Sequence, residues 1–374
     1  MNTQFRLLLI GDSDSQLLAC QALCQFPDHL RVDVTINAVP RDGTPEAILR
    51  RVVAIAKLWR FDLGQLITHP ELHQFDAIGV YLTGSKISDF RQALSLLSRS
   101  IRPLLFCGFN GVVLEKFVEG TSWRLGYDLI CLNGPRDQDM LRRMLVGSPF
   151  ADQTTVLTGL RRNDKSETML VPHHERRRQM VFAEQVVMPR GERDRAEMVQ
   201  ILANLARRSP DWDVLIKPRI APEEATFHQT DTHISQTLMQ SIGQPPANLR
   251  LDYRDLPELL SQSRLMATVS STAFFDALDF GCRPVVMADF GMNPVNGSHV
   301  FAGSGVWREL STVEDLNVLD QELKQPSQEW LAWMGYGREW KPEQLIDSLK
   351  SLKIKRQRPL EEKAGYLTNA SFSF

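Results

Sequence analysis

The chain has 374 residues, about two and a half times a domain of roughly 150 residues, so its length favours two domains over one small module. Hydrophobic residues at 43%, charged residues at 24% and aromatics at 8% match soluble globular proteins and argue against collagen-like, disordered and membrane-embedded classes. Lys+Arg 43 against Asp+Glu 45 leaves a formal net charge of -2, which supplies no global field for a phosphate backbone, and no nucleic acid partner is expected.

Short apolar runs alternate with amphipathic stretches from the start. Phe5–Ile10 reads as a buried strand, Ser15–Phe26 as a helix, Val32–Asn37 as a strand and Pro45–Arg60 as a helix. There follow a strand at Ala77–Leu82, a helix at Ser88–Leu97, strands at Pro103–Cys107 and Tyr127–Leu132, a helix at Asp137–Val146 and a strand at Thr154–Leu157. Arg161–Gln179 breaks this rhythm with a polar, basic segment. The alternation then restarts with strands at Met180–Ala183, Val214–Lys217, Leu249–Leu251, Leu265–Val269 and Pro284–Met287, and helices at Asp194–Arg208, Leu256–Ser263 and Thr272–Phe280. Strand–helix alternation calls for parallel sheets with right-handed crossovers. The expectation is an α/β chain of two Rossmann-like domains facing across a cleft: an acceptor domain over 1–165, a linker over 166–179, a nucleotide-sugar domain over 180–310, closing helices over 311–349 and a basic tail over 350–374.

The five cysteines, Cys20, Cys24, Cys107, Cys131 and Cys282, are odd in number and sit mostly in apolar runs, as small buried hydrophobes do. No disulfide or metal spacing appears, and a reducing compartment fits. The apolar run before Gly11 is only about five residues long, too short for a signal-peptide core, and a cytoplasmic location is expected.

Three constellations carry chemistry. Asp12-Ser13-Asp14-Ser15 follows the first strand, where acids face the ligand edge of a parallel sheet and also stand at the next helix start. Asp12 or Asp14 is a candidate catalytic base; Ser13, Asp14 or Ser15 as a helix cap is the competing reading. Lys217-Pro218-Arg219 ends a later strand, and the proline commits the chain to a turn that presents both cations to a phosphate, or merely to solvent. Ser270-Ser271-Thr272 precedes a helix, where hydroxyl and amide donors suit an anion or simply cap the helix.

Lys-Pro after one strand, Ser-Ser-Thr opening a helix about fifty residues later and the G-x-x-P-V-V strand beyond it (Gly281 to Val286) resemble the C-terminal half of GT-B glycosyltransferases. The closest resemblance is to bacterial sialyltransferases and capsule-sugar transferases; the opening Gly-Asp-Ser-Asp-Ser is also similar to the start of an uncharacterised bacterial glycosyltransferase family. The resemblance covers roughly residues 1–340. It departs at Lys217, where sialyltransferases more often carry His, and in the Asp-Ser-Asp element, where they carry two acids and a Gly. It implies transfer of a sugar from a CMP- or UDP-linked donor to a hydroxyl of a glycan or other acceptor, in surface glycan synthesis, with peripheral membrane contact through the acceptor. Lys217, Arg219, His228, Ser270, Ser271 and Thr272 would hold the donor phosphate and Asp12 or Asp14 would activate the acceptor, with no metal or further cofactor.

Other features are weaker. Gly79 to Lys86 imitates a phosphate loop but inserts Ser85 before the lysine. His69 and His73 are spaced like metal ligands without a third partner. His173 and His174 with Arg176, Arg177 and Arg178 read as a solvated linker, a domain hinge or a contact for an anionic acceptor, His233 as a solvated loop residue or a donor contact, and Asn293, Asn296, Ser298 and His299 as a polar loop that could contact the sugar, while Asp289-Phe290-Gly291 lacks the other kinase elements. The rival functions are a haloacid-dehalogenase-like phosphohydrolase using Asp12 and Asp14, a UDP-sugar epimerase of GT-B shape, and a non-catalytic sugar-binding scaffold.

Overall fold

A computed structural model describes residues 4–24, 26–41, 46–96, 102–112, 116–160, 170–185, 188–219 and 232–355, without the side chains of Asp14, residues 46–48 and Arg51. The chain divides into unit 1, Met1–Arg161 with Ala332–Phe374, and unit 2, Arg162–Leu331.

Unit 1 opens with β1 (Phe5–Gly11), α1 (Asp14–Leu23), β2 (Val32–Ala38), α2 (Glu46–Val53), β3 (Lys57–Trp59) and α3 (Leu63–Thr68). It continues with β4 (Ala77–Val80), α4 (Ser85–Leu96), β5 (Leu104–Cys107), α5 (Phe117–Ser122), β6 (Leu129–Leu132), α6 (Pro135–Leu145) and β7 (Thr155–Leu157). The seven strands form one sheet in the order β3-β2-β1-β4-β5-β6-β7, with every pair parallel. Successive residues of β1 serve opposite faces, as the pleat requires. Leu8 and Ile10 pack with Ile78, Val80, Leu105 and Ile130, whereas Leu7 and Leu9 pack with Ile36, Leu104, Phe106 and Leu129. Gly79 lies mid-strand in β4 because a Cβ there would collide with Phe106 and Leu9.

The helix expected over Pro45–Arg60 stops at Val53, and Lys57–Trp59 instead pairs with Thr35–Asn37 as an edge strand. Three residues are too few to announce a strand, and Val52, Ala56 and Leu58 extend the helical spacing by coincidence.

Unit 2 contains β8 (Arg177–Ala183), α7 (Glu192–Arg208), β9 (Asp213–Lys217), α8 (Ile234–Ile242), β10 (Leu249–Leu251), α9 (Leu256–Gln262) and β11 (Ser263–Thr268). Then come α10 (Ala273–Asp279), β12 (Arg283–Met287), β13 (Trp307–Arg308) and α11 (Leu316–Glu322). Its parallel sheet runs β10-β9-β8-β11-β12-β13, repeating the strand order of unit 1 from its third strand inward and out again. Phe274, Phe275, Phe301 and Trp330 form an aromatic nucleus beside it, with ring centroids 5.0 to 6.0 Å apart. β8 begins at Arg177, inside the stretch expected as linker. Arg176 is buried there and donates to the carbonyls of Val171, Leu260, Ser263 and Phe280 at 2.7 to 3.2 Å.

The chain leaves unit 2 along α12 (Gln328–Met334) and ends its described part in α13 (Pro342–Lys355), which belongs to unit 1. Trp340, Leu345, Ile346 and Leu349 enter the same apolar layer as Leu7 and Leu9. The returning segment crosses the β6–α6 turn at Gly335 (φ +87°), where a Cβ would strike the Asn133 carbonyl. Among the described residues no helix is long and apolar enough to cross a membrane.

Candidate active site

In an open parallel sheet the helices after the two strands flanking the reversal of strand order go to opposite faces, which leaves a crevice at the carboxyl edge. In unit 1 the reversal lies between β1 and β4, and in unit 2 between β8 and β11.

Asp12 leaves β1 at the first of these points, with its side chain 5% exposed. Its amide donates to Gln16 Oε1 at 2.7 Å. Lys86, in the first turn of α4, donates from Nζ to Asp12 Oδ2 at 2.6 Å, and Arg41, after β2, brings a guanidinium nitrogen within 3.6 Å of Oδ1. Oδ1 is buried and accepts no hydrogen bond. The segments that follow β1, β2 and β4, the last through the first turn of α4, thus converge on one carboxylate. Asp14 is the first residue of α1, and its side chain lies outside the described residues. Ser13 holds the cap position without a capping bond from its hydroxyl; Gln16 reaches back instead to the Asp12 amide.

Lys86, read from sequence only as the end of a spoiled phosphate loop, therefore has an acidic partner 74 residues away. Only the adjacency of β1 and β4 creates that pairing.

In unit 2, Lys217 ends β9 and donates one ammonium hydrogen bond to the Pro218 carbonyl at 2.7 Å. The Arg219 side chain is exposed, and its amide donates to Glu184 Oε2 at 3.1 Å. Ser270 is buried just beyond β11, its amide donating to Gln185 Oε1 at 2.9 Å. The Ser271 amide donates to Thr268 Oγ1, and Ser271 Oγ accepts from the Ala273 amide, each at 3.2 Å. The amides of Ser270 and Ser271 are thus spent within the chain, and the hydroxyls of Ser271 and Thr272 are the donors this turn presents. Thr272 stands at the cap position of α10 without a capping bond from its own side chain.

Sequence reasoning did not single out the two residues that join these pieces. Glu184 and Gln185 leave β8 in succession, and β8 lies between β9 and β11. Glu184 holds the Lys217-Pro218-Arg219 turn on one side, while Gln185 holds Thr268 and Ser270 on the other. The Glu184 charge is compensated by Arg195 of α7 at 3.3 Å, both side chains being buried. A polar Glu-Gln pair directly after the buried run Met180–Ala183 was the signal available.

The remaining candidates have structural duties or lie elsewhere. His228 lies outside the described residues. His233 caps α8, its Nδ1 accepting from the Ser235 amide at 3.1 Å. His69 lies against the Trp59 and Phe61 rings. Asp289 accepts the amides of Leu310 and Ser311 at 2.8 Å each. Asn293, Asn296 and Ser298 bond mainly to one another and to the nearby backbone. His173 is paired with Asp320 at 2.6 Å instead of being solvated. The five cysteines are free, and burial pushes their thiols up, Cys24 and Cys131 to about 12, which leaves them unreactive. Among the described residues no group of three His, Cys, Asp or Glu side chains is arranged to hold a metal.

The family model described as "Putative glycosyltransferase (DUF6716)" matches residues 7–352. The chain belongs to this family. No curated protein matches it in sequence. Among solved structures, it is similar to one described as a "putative UDP-N-acetylglucosamine 2-epimerase" from Listeria monocytogenes, at 14% identity and TM-score 0.59, over 96% of this chain and 98% of the other. The UDP-GlcNAc 2-epimerase of Neisseria meningitidis, bound to UDP-GlcNAc, is similar at 14% identity and TM-score 0.53, over 93% and 100%. A UDP-glucosyltransferase from Polygonum tinctorium is similar at 11% identity and TM-score 0.51, over 98% and 99%. These likenesses concern the fold, and they extend over nearly the whole of this glycosyltransferase family member. Its two Rossmann-type units are those of the GT-B fold, as the sequence resemblance implied.

Proposed function

We propose that this family member transfers a sugar from a nucleotide-activated donor to an acceptor hydroxyl, with the donor phosphate taken by unit 2 and the acceptor by unit 1. The observation that carries the reading is the bracing of unit 2 around β8. Glu184 fixes the backbone of the turn that carries Lys217 and Arg219, and Gln185 that of the turn that carries Ser271 and Thr272, before any ligand arrives. Donors held in place beforehand stabilise developing charge without reorganising during the reaction.

As the bond from the anomeric carbon to phosphate oxygen breaks, negative charge grows on the phosphate, where Lys217, Arg219 and the hydroxyls of Ser271 and Thr272 serve it. The acceptor hydroxyl must lose its proton as it attacks, and Asp12 is the carboxylate placed at the carboxyl edge of unit 1 to receive it. CMP and UDP are the nucleotides expected, with a glycan as the acceptor. Those identities, and the part of His228, rest on the resemblance in sequence.

Thermal shift and calorimetry with CMP, UDP, GDP and CDP test the donor site. One nucleotide should raise the melting temperature of the wild type, and Lys217→Ala should weaken its binding about tenfold, roughly 1.4 kcal/mol. Asp12→Asn should leave that affinity intact and lower turnover. Equal nucleotide affinity in wild type and Lys217→Ala overturns the reading, and conversion of a UDP-sugar without any acceptor replaces it with epimerisation.

A further inference from the structure

The assignment of Asp12 as base, on which this inference rests, meets an obstacle in the geometry. Oδ2 already accepts from the Lys86 ammonium at 2.6 Å and Oδ1 is buried, so an acceptor hydroxyl must compete with that ammonium for the carboxylate. The acid also lies beneath its cations: the Asp12 side chain is 5% exposed, Arg41 30% and Lys86 55%. A molecule arriving from solvent meets the ammonium and the guanidinium first. Meanwhile Oδ1 is buried without a hydrogen bond and faces only the Arg41 guanidinium at 3.6 Å, a cost that a carboxylate bears only where something compensates it.

We infer that the acceptor carries its own anion, a carboxylate or a phosphate, which Lys86 and Arg41 bind, and that this exchange uncovers Asp12. In the exchange the Lys86 ammonium passes from Asp12 Oδ2 to the acceptor's anion, which keeps the cation paired and leaves Oδ2 open to the acceptor hydroxyl. The acceptor hydroxyl then donates its proton to the vacated carboxylate oxygen as its own oxygen forms the bond to the anomeric carbon. The electron pair of the breaking bond leaves on the donor phosphate. A neutral acceptor offers the ammonium no alternative partner and leaves the base covered. Arg41, after β2, and Lys86, at the start of α4, lie on the two sides of β1, so both can engage one anion lying over Asp12.

The test uses the full chain on an array of matched oligosaccharides: neutral chains, the same chains bearing a uronic acid, and the same chains bearing a phosphodiester. Binding should be confined to the acidic sets, and whichever of the two is preferred identifies the anion as carboxylate or phosphate. Lys86→Gln should weaken acidic binding at least tenfold, with Arg41→Gln as a second variant should the first fail to fold. Asp12→Asn should tighten it severalfold, because the competing carboxylate charge is gone; an Asp12 that merely positions the two cations would give weaker binding instead. Equal binding of neutral and acidic chains, binding of none of them, or unchanged acidic binding in Lys86→Gln overturns the inference. Nucleotide thermal shifts on the same samples separate the two failures: a wild type that binds a nucleotide but no acidic chain refutes this inference alone, whereas one that binds no nucleotide refutes the donor-site reading.

Discussion

Glu184 shows how one buried acid can shape a binding edge without touching a ligand. One carboxylate oxygen takes the Arg195 guanidinium and the other takes the Arg219 amide, so a charge pair within unit 2 also sets the turn that presents Lys217. Removing one partner of a buried pair strands the other charge, and Glu184→Ala should cost about 3 kcal/mol in urea denaturation. A Glu184→Leu/Arg195→Met double variant should recover most of that stability, since a buried pair contributes little net over apolar packing. It should still bind nucleotide more weakly, because nothing then holds the Arg219 amide. If the double variant binds as the wild type does, the bracing role is refuted. At this scale the sequence was only partly legible. Asp12, Lys217 and Ser270 could be singled out as candidates because each ends or closely follows a recognisable strand. Glu184, Gln185 and Lys86 act across strands, and chain order does not disclose which strands become neighbours.

Among the elements, strands such as Phe5–Gly11 and Ala77–Val80 were visible as apolar runs, because a parallel strand buried on both faces has little polar alternation to obscure it. Lys57–Trp59 and Trp307–Arg308, short strands at the sheet edges, were not. The segment entering unit 2 was misread for a different reason: its basic composition suggested solvent, yet Arg176 is buried against backbone carbonyls and Arg178 pairs with Asp211. His173 meets Asp320 of α11, which also accepts from Arg264 at 3.2 Å, while Arg283 donates to the Asp320 backbone carbonyl at 2.8 Å. Burial lowers the His173 pKa below 6.5, outweighing the opposite pull of Asp320, and Arg283 and Arg264 push it the same way. The buried Nδ1 has no partner, which fits a neutral ring donating from Nε2. The unfolded chain therefore takes up a proton before the folded one does. Stability from this contact is complete above about pH 6.5 and is lost as the pH falls below it. Urea midpoints at pH 7.5 and 5.5 should differ more in the wild type than in His173→Gln; an equal drop in both would assign the pH dependence to other groups.

For the molecule as a whole, the repeated strand order was foreseeable from the alternation of elements, and each unit carries its functional candidates where that order reverses. The return of α13 was harder to read. Its apolar positions, Leu345, Ile346 and Leu349, announce an amphipathic helix but not which sheet receives it. That return makes unit 2 an insertion within the chain of unit 1, entered after Arg161 and left at Leu331. The arrangement has a mechanical consequence. Tension applied through the two termini enters the fold at β1 and α13, so it is borne by unit 1 alone, and unit 2 carries no load until its host has come apart. In an optical trap the two units should rupture in that fixed order, the shorter lengthening of the inserted unit always second, and traces in which it yields first would contradict the topology.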